Sequence, residues 1–160
     1  MKILYTDIDY VLSLGTEIHP KMTKWGYVSR FNKRAVEIYN EILEKTGAEI
    51  VISSDWKTHW SLEQLGEIFT EFARISKKPI DVTPGFPNRT IQKLEEFRAK
   101  EILRHVEDNK PESWVAIDDL DLRPWISEEH FVHLSRYMEG IKQSGKRNEI
   151  IKKLNINENN

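Results

Sequence analysis

The sequence predicts an α/β protein, three layers deep, with a mostly parallel central sheet. Three observations carry that expectation. Short apolar runs of strand length stand at 2–6 (KILYT), 48–52 (AEIVI) and 113–117 (SWVAI). Segments with helical spacing of apolar residues separate them. Each run ends in acids or hydroxyls, which suits the carboxyl edge of a parallel sheet rather than a random surface. Strands alternating with helices imply right-handed βαβ units. The chain has 160 residues, 39% of them hydrophobic, enough for one core of useful size. One domain over residues 1–154 with a polar tail at 155–160 is the simplest organisation.

The elements follow in order. Residues 2–6 read as a buried strand, and 13–30, mixing Gly, Pro and polar residues, as a loop excursion. Asn32 can cap a helix on which Ala35, Ile38, Tyr39, Ile42 and Leu43 recur at helical spacing, and Gly47 closes it. The strand at 48–52 comes next. Ser61 with Gln64 forms a capping box for a second helix carrying Leu62, Leu65, Phe69 and Phe72. Residues 79–89 (PIDVTPGFPNR) hold a short strand, then the turn signals Pro84, Gly85 and Pro87. A third helix is expected over 90–106, and the third buried strand over 113–117. EHFVHLS, 129–135, alternates as an edge strand does. The remainder reads as a last helix and a frayed tail.

Composition excludes several classes. The 24 basic and 26 acidic residues leave a net charge of −2, so a polyanionic substrate must be gripped locally. With no cysteine, disulfides, zinc–thiolate sites and thiol catalysis are out, and a reducing compartment fits. The apolar run behind Lys2 is too short for a signal peptide and nothing has the length of a membrane span, so a soluble cytoplasmic protein without membrane contact is expected. The histidines show no ligand spacing and read as structural or surface residues. The basic segment 142–153 reads as a solvated helix face.

The strand ends hold the chemistry. The first ends in Asp7 and Asp9, the second in Ser53, Ser54 and Asp55, the third in Asp118, Asp119 and Asp121. Clustered carboxylates repel and raise each other's pKa values. A hard cation relieves this, and Mg²⁺ is commonly held by one or two carboxylates plus substrate phosphate. If the chain bends just after Asp7, Asp7 faces the ion while Asp9 reaches the far side of the substrate. One acid is then a nucleophile and the other a general acid. Taken singly, Asp7 and Asp9 could be a cap and a turn residue, and DDLD at 118–121 an ordinary acidic turn. Their joint placement after buried strands argues for a site.

These residues resemble the motifs of the haloacid dehalogenase-like (HAD) hydrolases. Asp7-Ile8-Asp9-Tyr10-Val11 is similar to D-x-D-x-[TV]; VISS is similar to the second motif, with Ser53 the closer match and Ser54 the alternative. A basic residue on a helix would be the third motif, and VAIDD resembles the fourth. Ser53-Ser54-Asp55-Trp56-Lys57, Thr83-Pro84 and Arg98-Ala99-Lys100-Glu101-Ile102 are closer still to the HAD domains of RNA-repair "Swiss army knife" proteins and phage-type phosphatases. Tyr10 departs from that pattern, where Gly is common.

The resemblance implies a Rossmannoid HAD core and an Mg²⁺-dependent phosphomonoesterase. Asp7 would form an aspartyl-phosphate, and Asp9 would protonate the leaving oxygen and then activate water. Mg²⁺ would take the Asp7 carboxylate, the Asp9 backbone carbonyl and Asp119, with Asp118 acting through water or beside the ligands. Which of Asp118 and Asp119 binds directly stays open. Ser53 would bond the phosphoryl group. For the basic residue, Arg98 shares a stripe with Ile91, Leu94 and Ile102, while Lys100 falls on the polar side as a solvated lysine. Arg98 is therefore the catalytic candidate, although it could also snorkel to the surface. Ser54 and Lys100 remain as candidate substrate contacts.

The short segments between motifs leave no room for a large cap domain. Capless members of the family tend to have open clefts and large substrates, such as nucleic-acid ends or phosphoproteins, and the resemblance to the RNA-repair branch implies a nucleotide or polynucleotide phosphate end. The competing expectation is a phosphate-binding or interaction module that kept the fold without turnover. Trp56, Trp60 and Trp114 read as core; Trp25 and Tyr27 are better placed to meet a substrate.

Overall fold

Successive side chains of the first strand, β1 (Lys2–Thr6), point to opposite faces, and each face finds its own cover. Leu4 joins one core with Ile50, Ile52, Val115 and Ile117. Ile3 and Tyr5 join a second with Val51, Trp114 and Ala116. The computed structural model describes residues 1–15 and 19–156; the polar tail expected from 155 lies, from 157 on, outside the described residues.

After β1 the chain runs through β2 (Lys21–Thr23), β3 (Gly26–Val28), α1 (Lys33–Thr46), β4 (Glu49–Ile52), α2 (Leu62–Glu67) and β5 (Asp81–Val82). It continues through α3 (Leu94–Asn109), β6 (Ser113–Asp118), β7 (Phe131–His133) and α4 (Lys146–Leu154). The central sheet has the order β5-β4-β1-β6-β7 and all its pairs are parallel. Helices α1, α2 and α4 cover the face of Leu4, and α3 covers the other. A parallel sheet buried on both sides is what the near-continuous apolar strands require.

The strand order positions the site. The chain moves outward from β1 through β4 to β5, then returns to β6 on the other side of β1. The switch point lies between β1 and β6, where ligands of such sheets bind. Thr6 pairs with Ile117 on one side and Ile52 on the other. Asp7 N–H donates to Ile117 O at 3.2 Å and Ser53 N–H to Thr6 O at 3.1 Å. Asp7, Ser53 and Asp118 therefore leave the sheet at one level.

The local signals account for most elements. Asn32 accepts from the Ala35 N–H at 3.0 Å, and Gly47 ends α1 at φ 68°. Both bonds of the Ser61–Gln64 capping box form, at 3.1 and 3.0 Å. Trp56 and Trp114 are buried, as expected of core residues. His105 is satisfied within the core, 2.8 Å from the Tyr5 hydroxyl and 3.0 Å from Asp81. Among the described residues no helix is long and apolar enough to cross a membrane.

Three expectations need correction. The excursion at 13–30 contains the β2–β3 hairpin, turned by Gly26 at φ 96° and by Thr23, whose hydroxyl bonds the Gly26 carbonyl at 2.8 Å. Its short, largely exposed strands carry no alternation of burial to read. The second helix turns π-helical over Ile68–Phe72, with Ala73 N–H bonding Ile68 O. The third helix opens with a 3-10 turn, Ile91–Lys93, and runs on to Asn109. Three residues per turn break the α-helical stripe, so Ile91, expected inside, is exposed.

Candidate active site

The bend expected after Asp7 is built by Ile8. Its buried side chain anchors a turn in which the N–H groups of Val11, Leu12 and Ser13 all donate to its carbonyl, at 3.2, 2.9 and 3.0 Å. Tyr10 closes the turn with its N–H on Ser13 O at 2.6 Å, and its φ is 63°. For a residue with a Cβ that region costs about 1–2 kcal/mol. The turn divides the two acids. Asp7 points inward and is buried, whereas Asp9 is exposed at the mouth and accepts a bond from the Trp56 indole N–H at 3.2 Å.

Asp7, Asp118 and Asp119 converge, each offering an oxygen within 4.8 Å of the others. Burial, then the charge of Asp7, pushes the Asp118 carboxyl well up. Burial, then a bond to Asp7 and its charge, pushes Asp119 up to about 7. Three hard oxygen donors that resist sharing a space unless a cation joins them fit Mg²⁺. Asp9 contributes no carboxylate to the triple. Asp118 already has both oxygens engaged, one accepting from Arg98 at 2.7 Å and the other from Leu120 N–H at 3.0 Å.

Arg98 does not snorkel. It is 4% exposed, 2.7 Å from Asp118, 3.2 Å from Asp7 and 3.5 Å from Asp55. Burial alone would lower its pKa, but the charges of Asp118, Asp7 and Asp55 outweigh it and hold the guanidinium protonated. Lys100 lies outside the cluster, half exposed, paired with Glu96 at 3.1 Å and over the Phe97 ring. Ser53 is fully buried, and among the described residues its hydroxyl has no hydrogen-bond partner. Ser54 instead caps the 3-10 turn Asp55–Thr58, its oxygen accepting from Trp56 N–H at 3.2 Å. Trp25 packs half-buried and bonds Glu67; Tyr27 is exposed on β3.

Behind Arg98, beside the strand-end acid Asp55, lie three charges with no role readable from the sequence: Lys57, Arg89 and Glu101. Lys57 donates to Glu101 and to the Thr83 hydroxyl, both at 2.7 Å, with Glu101 fully buried. Burial lowers the Lys57 pKa against the pull of Glu101. Arg89, on the loop before α3, stands 2.7 Å from Asp55. Burial would raise the Asp55 carboxyl, but Arg89 and Arg98 hold it below the ordinary value. The placement of Glu101 was legible in principle: it lies three residues beyond Arg98, on the same side of α3. Lys57 and Arg89 come from turns, where no periodicity points inward.

Among the described residues, the buried side-chain atoms without a hydrogen-bond partner are Ser53 Oγ, Asp55 Oδ1, Arg98 Nε, Glu101 Oε1, and Nε and Nη2 of Arg89. Asp55 Oδ1 and Glu101 Oε1 nevertheless face Arg89, at 2.7 and 3.8 Å, within the ion-paired group behind Arg98. Buried polar groups are otherwise nearly always satisfied, so the open Ser53 hydroxyl and Arg98 Nε, at the strand ends that carry the acids, mark a place made for a polar ligand.

A five-stranded parallel sheet between helical layers, without a cap domain and with strand-end acids at its switch point, defines a HAD-like α/β domain. The comparison with family models agrees: the model described as the HAD domain in Swiss Army Knife RNA repair proteins matches residues 3–144, and the chain belongs to that family of HAD-type hydrolase domains. No curated protein and no solved structure matches the chain.

Proposed function

We propose that the protein is an Mg²⁺-dependent phosphomonoesterase that works through an aspartyl-phosphate on Asp7, with nucleotide or polynucleotide phosphate ends as substrates, in the cytoplasm. The observation that carries this reading is the convergence of Asp7, Asp118 and Asp119 beside the buried Arg98. The nucleic-acid part rests on the family's description alone.

Asp7 and Asp119 would hold the cation, with the Asp9 backbone carbonyl as the resemblance implies. Asp118, already bonded to Arg98 and Leu120, would orient them. Bound there, a divalent cation supplies neutralisation of phosphoryl charge. An Asp7 oxygen attacks phosphorus, and the bond from phosphorus to the leaving oxygen breaks. That oxygen takes its proton from Asp9. Although Asp9 stands exposed at the mouth, its carboxyl is partly shielded from water, and this raises its pKa, partly opposed by the Trp56 bond, which favours its carrying the proton. Asp9, now a carboxylate, takes a proton from water. The water oxygen attacks phosphorus, the Asp7–phosphorus bond breaks, and inorganic phosphate leaves. Arg98 and the free Ser53 hydroxyl are available to the equatorial phosphoryl oxygens.

The test is phosphate release with and without Mg²⁺ from a small aryl phosphate and from 3′- and 5′-phosphorylated oligonucleotides, beside Asp7→Asn. Mg²⁺-dependent release absent from the variant is the expected result. No release from any substrate by folded protein that binds Mg²⁺ would overturn the reading in favour of a phosphate-binding module.

A further inference from the structure

Two aromatic rings stand exposed on the cleft rim, and among the described residues neither is buried in the core. Tyr10, directly after Asp9, is 45% exposed, and Tyr137 is 59% exposed. Their rings meet edge to face with centroids 6.0 Å apart. Tyr10 keeps its aromatic side chain at φ 63°, where glycine is free of strain. Neither burial nor backbone preference repays that choice, and strained residues of this kind gather at binding sites.

The rim is built to hold the pair. Leu134 N–H bonds Asp118 O at 2.8 Å, so the loop carrying Tyr137 leaves the sheet beside the acid triple. It is stitched to the Tyr10 turn by Ile141 N–H on Val11 O at 3.1 Å and Gly15 N–H on Tyr137 O at 3.4 Å. Gly140, at φ 51°, permits this approach, since a Cβ there would lie 2.5 Å from Val11 O and 2.9 Å from Tyr10 O.

We infer that Tyr10 and Tyr137 form a platform on which a nucleobase of the leaving group stacks. The inference rests on the proposed phosphatase reading for its placement. If Asp9 protonates the leaving oxygen, that oxygen sits beside Asp9, and the group it carries extends outward over the rim where Tyr10 follows in the chain. Exposed tyrosines held in fixed positions are the usual surface for stacking an unpaired base, and they accept any base. The platform thus selects nucleosides over bare sugars.

The experiment compares affinities for adenosine 5′- and 3′-monophosphate with those for the corresponding ribose phosphates. It uses the Asp7→Asn background with Mg²⁺ and adds Tyr137→Ala and Tyr10→Gly. Base-bearing ligands are expected to bind roughly tenfold or more tightly than the ribose phosphates, and that ratio falls toward one in either tyrosine variant. Tyr10→Gly should not melt earlier than its background, because glycine adopts this backbone freely, so its lost preference cannot be misfolding. Equal affinities before either tyrosine is changed, a preference that survives both variants, or no binding of any ligand would each overturn the platform. Phosphate release by the unsubstituted protein is read separately. Release from both ligand types with equal affinities refutes the platform and keeps the phosphatase; base-selective binding without release does the reverse.

Discussion

Two clusters of buried charge share the carboxyl edge of the sheet, and they are built in opposite ways. Between β1 and β6, the carboxylates of Asp7, Asp118 and Asp119 have one guanidinium within ion-pair distance among the described residues, that of Arg98. Beside β4 and β5, Lys57 and Arg89 meet Glu101 and Asp55, charge for charge. With all three ionised, the first cluster carries two negative charges in excess, which is what a divalent cation neutralises, and without one its acids hold their protons to higher pH. The second neutralises itself and braces the first, since Asp55 also faces Arg98 at 3.5 Å. An imbalance marks where something must bind; a balance marks what holds the binding groups in place.

The largest expected effect attacks the unbalanced cluster. Asp7→Asn removes the nucleophile and one ion contact with little change in volume. Phosphate release should fall roughly a thousandfold or more with the melting temperature kept; activity within tenfold of the parent would refute the covalent route. Arg98→Ala should cost about a hundredfold in kcat, as expected for a donor to developing phosphoryl charge. Lys100→Ala, at a half-exposed lysine paired with Glu96, should cost far less. A reversed order in steady-state kinetics would mean that the wrong face of α3 has been assigned.

The balanced cluster should answer in stability instead. Glu101→Gln leaves the Lys57 ammonium buried without its counter-charge, at a cost of roughly 3–5 kcal/mol in denaturant unfolding. Lys57→Met combined with Glu101→Gln should recover much of that loss. If the single variant is as stable as the parent, the pair is not the brace described above.

The smallest effect is a pH dependence. Asp119 holds its proton up to about 7, whereas the unfolded chain releases it at the ordinary carboxylate value. The folded state binds more protons within that window, so ion-free protein should lose stability as pH rises through it. Mg²⁺ competes with the same proton, so its stabilising increment should grow over the same range. Thermal melts with and without Mg²⁺ across the window check both signs. An increment that shrinks with rising pH would separate Asp119 from the ion.

Much of this was legible along the chain. The apolar runs ending in TDID, ISSD and AIDD announced both the strands and the acids, because a buried parallel strand needs continuous apolar sequence and its ligand end needs polar groups. Asn32, Gly47 and the Ser61–Gln64 box marked helix ends through bonds made within a few residues. Arg98 could be placed inside from helical spacing because its neighbours on the stripe are apolar. The β2–β3 hairpin was not readable, since its largely exposed strands lack a buried face to leave a pattern.

What the sequence by itself determined is therefore what local bonding and periodicity determine: the strands, the caps, and the set of acids offered at strand ends. Tertiary structure alone decided which of them meet. The strand order put β6 beside β1 and so brought Asp118 and Asp119 to Asp7 across more than a hundred residues. It turned Asp9 toward Trp56 and gave Ser54 to a cap while leaving the Ser53 hydroxyl open. It also buried Lys57 against Glu101 from two elements that share no local pattern. Such pairings depend on distances between separate elements, and those are set by packing rather than by any spacing within the chain.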